Sequence, residues 1–298
     1  SYIWPVLNAS GFTASPDLLP TGHIINFTGH SLEEAEHAQE CMKIVRGLVL
    51  PNRIQDKRKA RRDRWWIYNE VCSGMYNAIA GMRRVLVCPA HTKYIVFGFC
   101  DPRIVFTNAL NVFPIDDYAS FSLLQSRSHE VWALHYCSTL ESRTRYNPSD
   151  CFETFPFPNN WHQVAPSLES AGGAYYDFRA AFMTRHVHGL TDTYNSFHNP
   201  DEHRPDILKL RALHAAMDRA VLDAYGWTDI PTDCDFFLDY EIDEETWGDK
   251  KKPYRYRWPD AVRDEVLARL LDLNQRRYQE EVAAGLHGKL DKAAPAKK

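Results

Sequence analysis

The sequence predicts an α+β fold: a small antiparallel-sheet domain over residues 1–165, then a mainly helical domain over 166–287, with a tail at 288–298. Three observations carry this reading. Between Arg84 and Phe113 the apolar residues alternate with a period of two, in short β-branched and aromatic runs cut by Cys88-Pro89-Ala90, Cys100-Asp101-Pro102-Arg103 and Asn108. Beyond Pro166 the apolar period lengthens to that of helices. The closing GKLDKAAPAKK has too few apolar residues to fold, and disorder is expected there.

The elements follow in order. The opening SYIWPVLNASGFTASPDLLPTGHIINF is rich in Pro, Gly and Ser and predicts short extended pieces joined by turns. At Ser31, with Glu33 and Glu34 behind it, a capped helix is expected, with Leu32, Ala35, Met42, Val45 and Leu48 on one face. The run RIQDKRKARRDRWW, Arg53 to Trp66, continues it on a helix or its extension. The strands of Arg84 to Phe113 come next. A helix from Asp116 or Asp117 then places Tyr118, Phe121, Leu124, Gln125, Ser128 and Trp132 on one side.

In the second half, Ile207, Leu210, Leu213, Met217, Ala220 and Val221 form an apolar stripe that ends at Gly226. A last helix from Pro259 to about Glu281 carries Val262, Val266, Leu270, Leu273 and Tyr278. Between the two lies an acidic, then basic and aromatic connector.

Composition bounds the class. The chain has 298 residues, 44% hydrophobic and 25% charged, as soluble globular proteins do. No apolar run reaches membrane-spanning length and no basic-then-apolar leader opens the sequence, so a cytoplasmic protein without membrane partners is expected. The seven cysteines are scattered without a CxxC pair, which predicts reduced thiols and no zinc site. The net charge of −4 hides an asymmetry: 16 basic against 14 acidic residues in 1–150, and 19 against 25 in 151–298.

Two stretches bear on chemistry. In the basic run, Lys57, Arg58, Arg61, Arg62 and Arg64 suit contacts to a phosphate backbone, with Trp65, Trp66 and Tyr68 as buttresses. The alternative is a solvated helix face. In LESRTRYNPSDCFETFPFP, Arg143 and Arg145 stand two apart, so an extended backbone puts both on one side; bidentate guanidinium groups are common readers of guanine. Glu141 could accept from a cytosine amino group or fix an arginine. Phe155-Pro156-Phe157-Pro158 cannot be helix interior and reads as a stiff extended strap. The alternative for both arginines is surface salt bridges.

Other chemistries find little support. The acids and lysines between Asp239 and Lys252 superficially resemble a metal-dependent nuclease, but a charged loop has the same composition. His129-Glu130 and His186, His188, His198 and His203 lack metal-ligand spacing. Cys151 has no identifiable histidine partner. Gly98 and Gly172-Gly173 do not form a nucleotide-binding loop.

Five blocks together carry a resemblance: DRWWIY, RVLVCPAHTKY, DDYASFSLLQSRSHEVWAL, STLESRTRYNPSDCFETFPFP and LHAAMDRAVLDAYGW. In this order they resemble the carboxy-terminal half of large bacterial adenine-specific DNA methyltransferases of the type IIG and MmeI-like type IIL restriction-modification enzymes and related phage-defence systems. The resemblance reaches to about residue 283. It implies a target-recognition domain with its sheet at Arg84 to Phe113, a supporting helix from Asp117 to Tyr136, and a base-reading surface around Glu141, Arg143 and Arg145. His91, Lys93 and Arg103 are further candidates in neighbouring loops.

The family uses S-adenosylmethionine, a glycine-rich cofactor loop and an Asn/Asp-Pro-Pro-aromatic motif. This sequence has no Pro-Pro, so the catalytic half is expected to be absent. The chain itself is expected to need no cofactor, to bind double-stranded DNA without methylating it, and to partner a separate methyltransferase domain that binds S-adenosylmethionine. A protein-interaction module of a defence complex is the rival expectation.

Overall fold

The computed structural model describes residues 2–140, 143–159, 161–163, 165–239 and 252–286. The tail expected at 288–298 lies outside the described residues. The fold is α+β with small, mostly antiparallel sheets, as the periodicities predict. The chain divides into two compact units. The first comprises 1–91, 96–116 and 182–193; the second comprises 92–95, 117–181 and 194–298.

In the first unit, β1 (Ile3–Leu7) pairs antiparallel with β2 (Gly22–Ile25), and α1 (Ala9–Ala14) sits between them in sequence, capped by Asn8. Four short helices follow: α2 (Leu32–Glu36), α3 (Gln39–Leu48), α4 (Leu50–Ile54) and α5 (Lys59–Asp63), then α6 (Ser73–Ile79). The expected cap is present as a reciprocal box: Ser31 Oγ accepts from Glu34 N, and Glu34 accepts from Ser31 N at 2.7 Å. Ala35, Met42 and Val45 bury against Phe27, but the single expected helix is broken at Ala38, whose backbone is not helical. Leu48, expected on the same face, is 71% exposed.

The predicted sheet forms from β3 (Val85–Pro89), β5 (Gly98–Cys100) and β7 (Leu110–Phe113), antiparallel in the order β5-β3-β7. The two-residue strand β4 (His91–Thr92) falls at the division between the units. One short strand departs from the antiparallel expectation. β6 (Val105–Phe106) runs parallel to β1, with Val6 opposite Val105.

The second unit holds most of the helix. Asp117 caps α7 (Tyr118–Gln125), and Ser126, extended at ψ 158°, ends it and caps α8 (Arg127–Tyr136). The expected single helix is therefore two, because a serine that caps its own following turn favours a start over an interior position. The break lets both helices bury nearly all their first-turn residues. β8 (Ser138–Leu140) and β9 (Arg143–Arg145) form an antiparallel pair, followed by α9 (Pro148–Cys151). Then come α10 (Ala165–His186) and α11 (Leu190–Phe197), of which residues 182–186 and 190–193 belong to the first unit, and α12 (Pro205–Ala224), which stops at Gly226 with φ +77° and Trp227 N donating to Leu222 O. β10 (Asp235–Leu238) and β11 (Tyr254–Arg257) pair antiparallel inside the connector, and α13 (Asp260–Ala283) closes the chain.

This division differs from the cut at residue 165 that the sequence suggests. There α7 and α8 go to the first domain as its support, yet they belong with α12 and α13. Packing explains it. Val131 and Trp132 of α8 share one buried cluster with Leu222, Trp258, Val266 and Leu270, and Leu123 of α7 packs with Leu168 and Val221. Burial of this size outweighs adjacency in sequence.

Candidate nucleic-acid interface

The hairpin β8–β9 is anchored by the residue that directly succeeds it, Tyr146. Ser138 lies opposite Arg145, Thr139 opposite Thr144 and Leu140 opposite Arg143. Strand residues alternate in facing, and Thr144 and Tyr146 are buried while Arg145 is exposed. Tyr146 explains the orientation: its hydroxyl lies 2.9 Å from His129 Nε2 of α8, with both groups buried. The ring of His129 meets Phe155 edge-on at 4.6 Å. Burial favours its uncharged form and pushes the imidazole down to about 3, so at neutral pH it is a neutral hydrogen-bonding partner. Glu141 lies outside the described residues, as does the side chain of Arg143.

The aromatic strap packs as an extended segment on this scaffold. Phe155 is 4% exposed among His129 and Trp132, and Phe157 meets Phe152 and Phe155 edge-on. The strap and the threonine before it are tied from three helices or helix ends of the same unit. Tyr225 Oη donates to Pro156 O at 3.0 Å, Asn274 Nδ2 donates to Thr154 O at 2.8 Å, and Trp132 Nε1 donates to Thr154 Oγ1. A proline-fixed segment loses little further freedom on docking, which suits it to hold the hairpin's exit.

The basic run lies in the first unit and is mostly solvent-facing. Lys57, Arg58, Arg62 and Arg64 are exposed. Asp56 organises the turn before α5: its carboxylate accepts from Arg58 N at 2.9 Å and from Arg61 Nη1 at 3.3 Å, while Arg62 Nη1 donates to Asp56 O. Arg61 and Arg62 are thus both partly engaged within the run, Arg62 while remaining exposed. Trp65 and Trp66 pack against the Phe27 cluster, and Trp66 Nε1 donates to His30 O at 3.0 Å, so these two rings hold the end of the run in place. Tyr68 is 44% exposed and lines an apolar groove of about 660 Å³ with Trp4, Ile24, Tyr76 and Phe106.

The remaining candidates divide. Arg103 is exposed, but its guanidinium is bidentate to Asp101 in the same turn, and that hydrogen bond holds Asp101 below the usual carboxylate range. Lys93 donates to Asn195 Oδ1 at 3.0 Å and lies over the Tyr94 ring. His91 is exposed. The phosphate candidates, His91 and Arg103 fall in the first unit; Lys93, Arg143 and Arg145 fall in the second.

Three buried arginines escape a reading of the sequence. Arg127 Nη1 pairs with Asp218 Oδ2 at 2.5 Å and lies 2.7 Å from His214 Nδ1, all three nearly inaccessible. Burial opposes charge on Asp218, but His214 and Arg127 outweigh it and hold the carboxyl below its ordinary range. Arg179 donates to Gln125 Oε1 and Tyr194 Oη; Arg211 donates to the carbonyls of Phe197, Glu202 and Asn199. The one available signal is His214 and Asp218, four apart inside an apolar helix stripe.

Gly172 lies within α10 against Tyr118 O and Ser122 Oγ, and Gly98 is buried against Leu18 and Phe12, so both serve close packing. Among the described residues no cluster of His, Cys, Asp and Glu could hold a metal ion. Asp239 pairs with Arg255 at 2.9 Å, and residues 240–251 of the supposed nuclease stretch lie outside the described residues. No described helix is long and apolar enough to cross a membrane.

Comparison with known proteins gives the frame for these features. Residues 32–159 match the family model described as MmeI, target recognition domain. A solved structure of the Type IIL restriction-modification enzyme MmeI in complex with DNA matches with a TM-score of 0.62 at 18% identity, over 93% of this chain and 31% of that one. The chain therefore spans about a third of the length of that enzyme. No curated protein sequence matches. The chain thus resembles, in fold and in its 32–159 segment, the target-recognition part of the MmeI-like type IIL restriction-modification enzymes.

Proposed function

We propose that this chain reads the sequence of double-stranded DNA, as the specificity half of an adenine-specific, S-adenosylmethionine-dependent methyltransferase of restriction-modification or phage defence. The observation that carries the reading is the 32–159 match, because it takes in both the basic run and the β8–β9 hairpin. The geometry supports it from two sides: Lys57, Arg58, Arg62 and Arg64 are exposed for phosphates, and Arg145 is exposed on a strand whose other face is bolted to α8. Phosphate contacts would set affinity and register, and base contacts would choose the sequence. In this reading methyl transfer belongs to a separate methyltransferase domain, the partner of this chain in the bacterial cytoplasm, and the 298-residue chain transfers no methyl group alone.

The test is duplex binding across a salt series. The reading expects affinity to fall steeply, with a slope of about −0.9 per phosphate contacted. Salt-insensitive binding, or none, would favour the protein-interaction alternative. Transfer of tritiated methyl groups to mixed DNA by the purified chain would overturn the division of labour.

A further inference from the structure

Three features have no part in the proposed DNA contacts: the groove beside Tyr68, a hollow next to the stacked Tyr225 and Trp227, and a thiol pair at the foot of the hairpin. Of these the thiol pair has the most defined chemistry. Cys137 ends α8 and immediately precedes β8; Cys151 ends α9, after β9. Their sulfurs lie 3.3 Å apart, so the two thiols clasp the segment that holds the hairpin. Cys137 is half-buried and Cys151 fully buried behind it.

We infer that Cys137 and Cys151 are an oxidisable dithiol, a modification site that closes to a disulfide across the base of the β8–β9 hairpin when the protein meets a peroxide. The accessible Cys137 thiolate attacks one peroxide oxygen, the O–O bond breaks, and a sulfenic acid and water result. The Cys151 thiolate then attacks that sulfur and expels hydroxide, which leaves as a second water with the thiol proton. Two thiols and one hydrogen peroxide give one disulfide and two waters; sulfur is oxidised and peroxide oxygen reduced. A small thiol reverses it by exchange.

Cys100 and Cys234 contrast with the pair. Burial pushes Cys100 and Cys234 up to about 12, so neither is a ready nucleophile. The hydrogen bond from Cys137 acts in the opposite direction on Cys151 and lowers it. Closure would tie together the two ends of residues 138–150 by a covalent cross-link.

Tryptic mapping tests this directly, since cleavage at Arg143 and Arg145 places Cys137 in peptide 128–143 and Cys151 in peptide 146–179. After treatment of the folded chain with hydrogen peroxide, the two peptides should run as one cross-linked species, split again by dithiothreitol and absent from Cys137→Ser. Amide exchange over residues 138–147 should slow by roughly tenfold in the oxidised form. Recovery of both peptides separately, with Cys137 alkylated or overoxidised, would overturn the proposal, as would exchange unchanged by oxidation. Circular dichroism of Cys137→Ser checks that this half-exposed substitution leaves the fold intact; if it does not, Cys137→Ala serves in its place. Neither readout depends on DNA binding.

Discussion

The chain uses arginine in two opposite ways. In the second unit Arg127, Arg179 and Arg211 are 6% exposed or less, each fixed by carbonyls, a carboxylate or hydroxyls in the core. On the surface, Arg58, Arg62 and Arg64 of the basic run and Arg145 of the hairpin face solvent. The sequence writes both sets with the same letter. What separates them is the partner: a buried guanidinium is held by groups that would be stranded without it, whereas an exposed one is left able to meet an external anion or base edge. The first set should fail as structure and the second as recognition.

The largest effect should come from Arg127→Ala, which leaves Asp218 charged and fully buried. A loss of about 3–5 kcal/mol is expected from urea unfolding. A loss under about 1 kcal/mol would mean that water or His214 replaces the guanidinium, and the contrast between the two sets would blur.

Phe155→Ala should cost about 3 kcal/mol or more, since the ring fills the space between His129 and Trp132. Any loss of DNA binding in this variant should recover under conditions that restore folding. Binding lost in a fully folded variant would instead make the strap part of the reading surface.

Acid should destabilise the second unit through its buried His129. His129 is held at about 3 in the folded chain against an unfolded value near 6.5, so the unfolded state gains its proton first. Its contribution is complete above about pH 6.5 and is lost as pH falls toward 3. Asp218, also lowered, adds a loss in the same direction below the ordinary carboxylate range. Urea midpoints should therefore fall between about pH 7.5 and pH 5, and His129→Gln should flatten that fall. A midpoint independent of pH in this window would contradict the burial of a neutral imidazole.

Much of the fold is legible from period alone. The β3-β5-β7 sheet, the Ser31 cap, the α12 stripe and its Gly226 stop all follow from local chemistry. The division into units is not, because α7 and α8 find their buried partners in helices far later in the chain, and no local pattern encodes which surface a helix will meet. The break at Ser126 is visible only as a capping residue inside an apolar run, where the run dominates the reading. At the site, the alternation Arg143, Thr144, Arg145, Tyr146 carries the outward facing of Arg145. The buttress of Tyr146 on His129 depends on tertiary packing and has no sequence signal.

The smallest expected effects on stability come from the basic run. Lys57→Ala, Arg58→Ala or Arg62→Ala should leave unfolding within about 0.5 kcal/mol, weaken all duplexes alike and flatten the salt dependence by about one unit each. Unchanged slopes in all three would return the run to a solvated helix face.

Base reading by the hairpin is best probed by selecting ligands from a randomised duplex library with the 298-residue chain and with its Arg145→Ala variant. The parent should enrich one sequence, and the variant, equally stable, should lose preference at one position, worth roughly 1–3 kcal/mol of discrimination. Identical enriched sequences from both proteins would contradict base reading through Arg145 and move the base contacts to the loops of His91, Lys93 and Arg103.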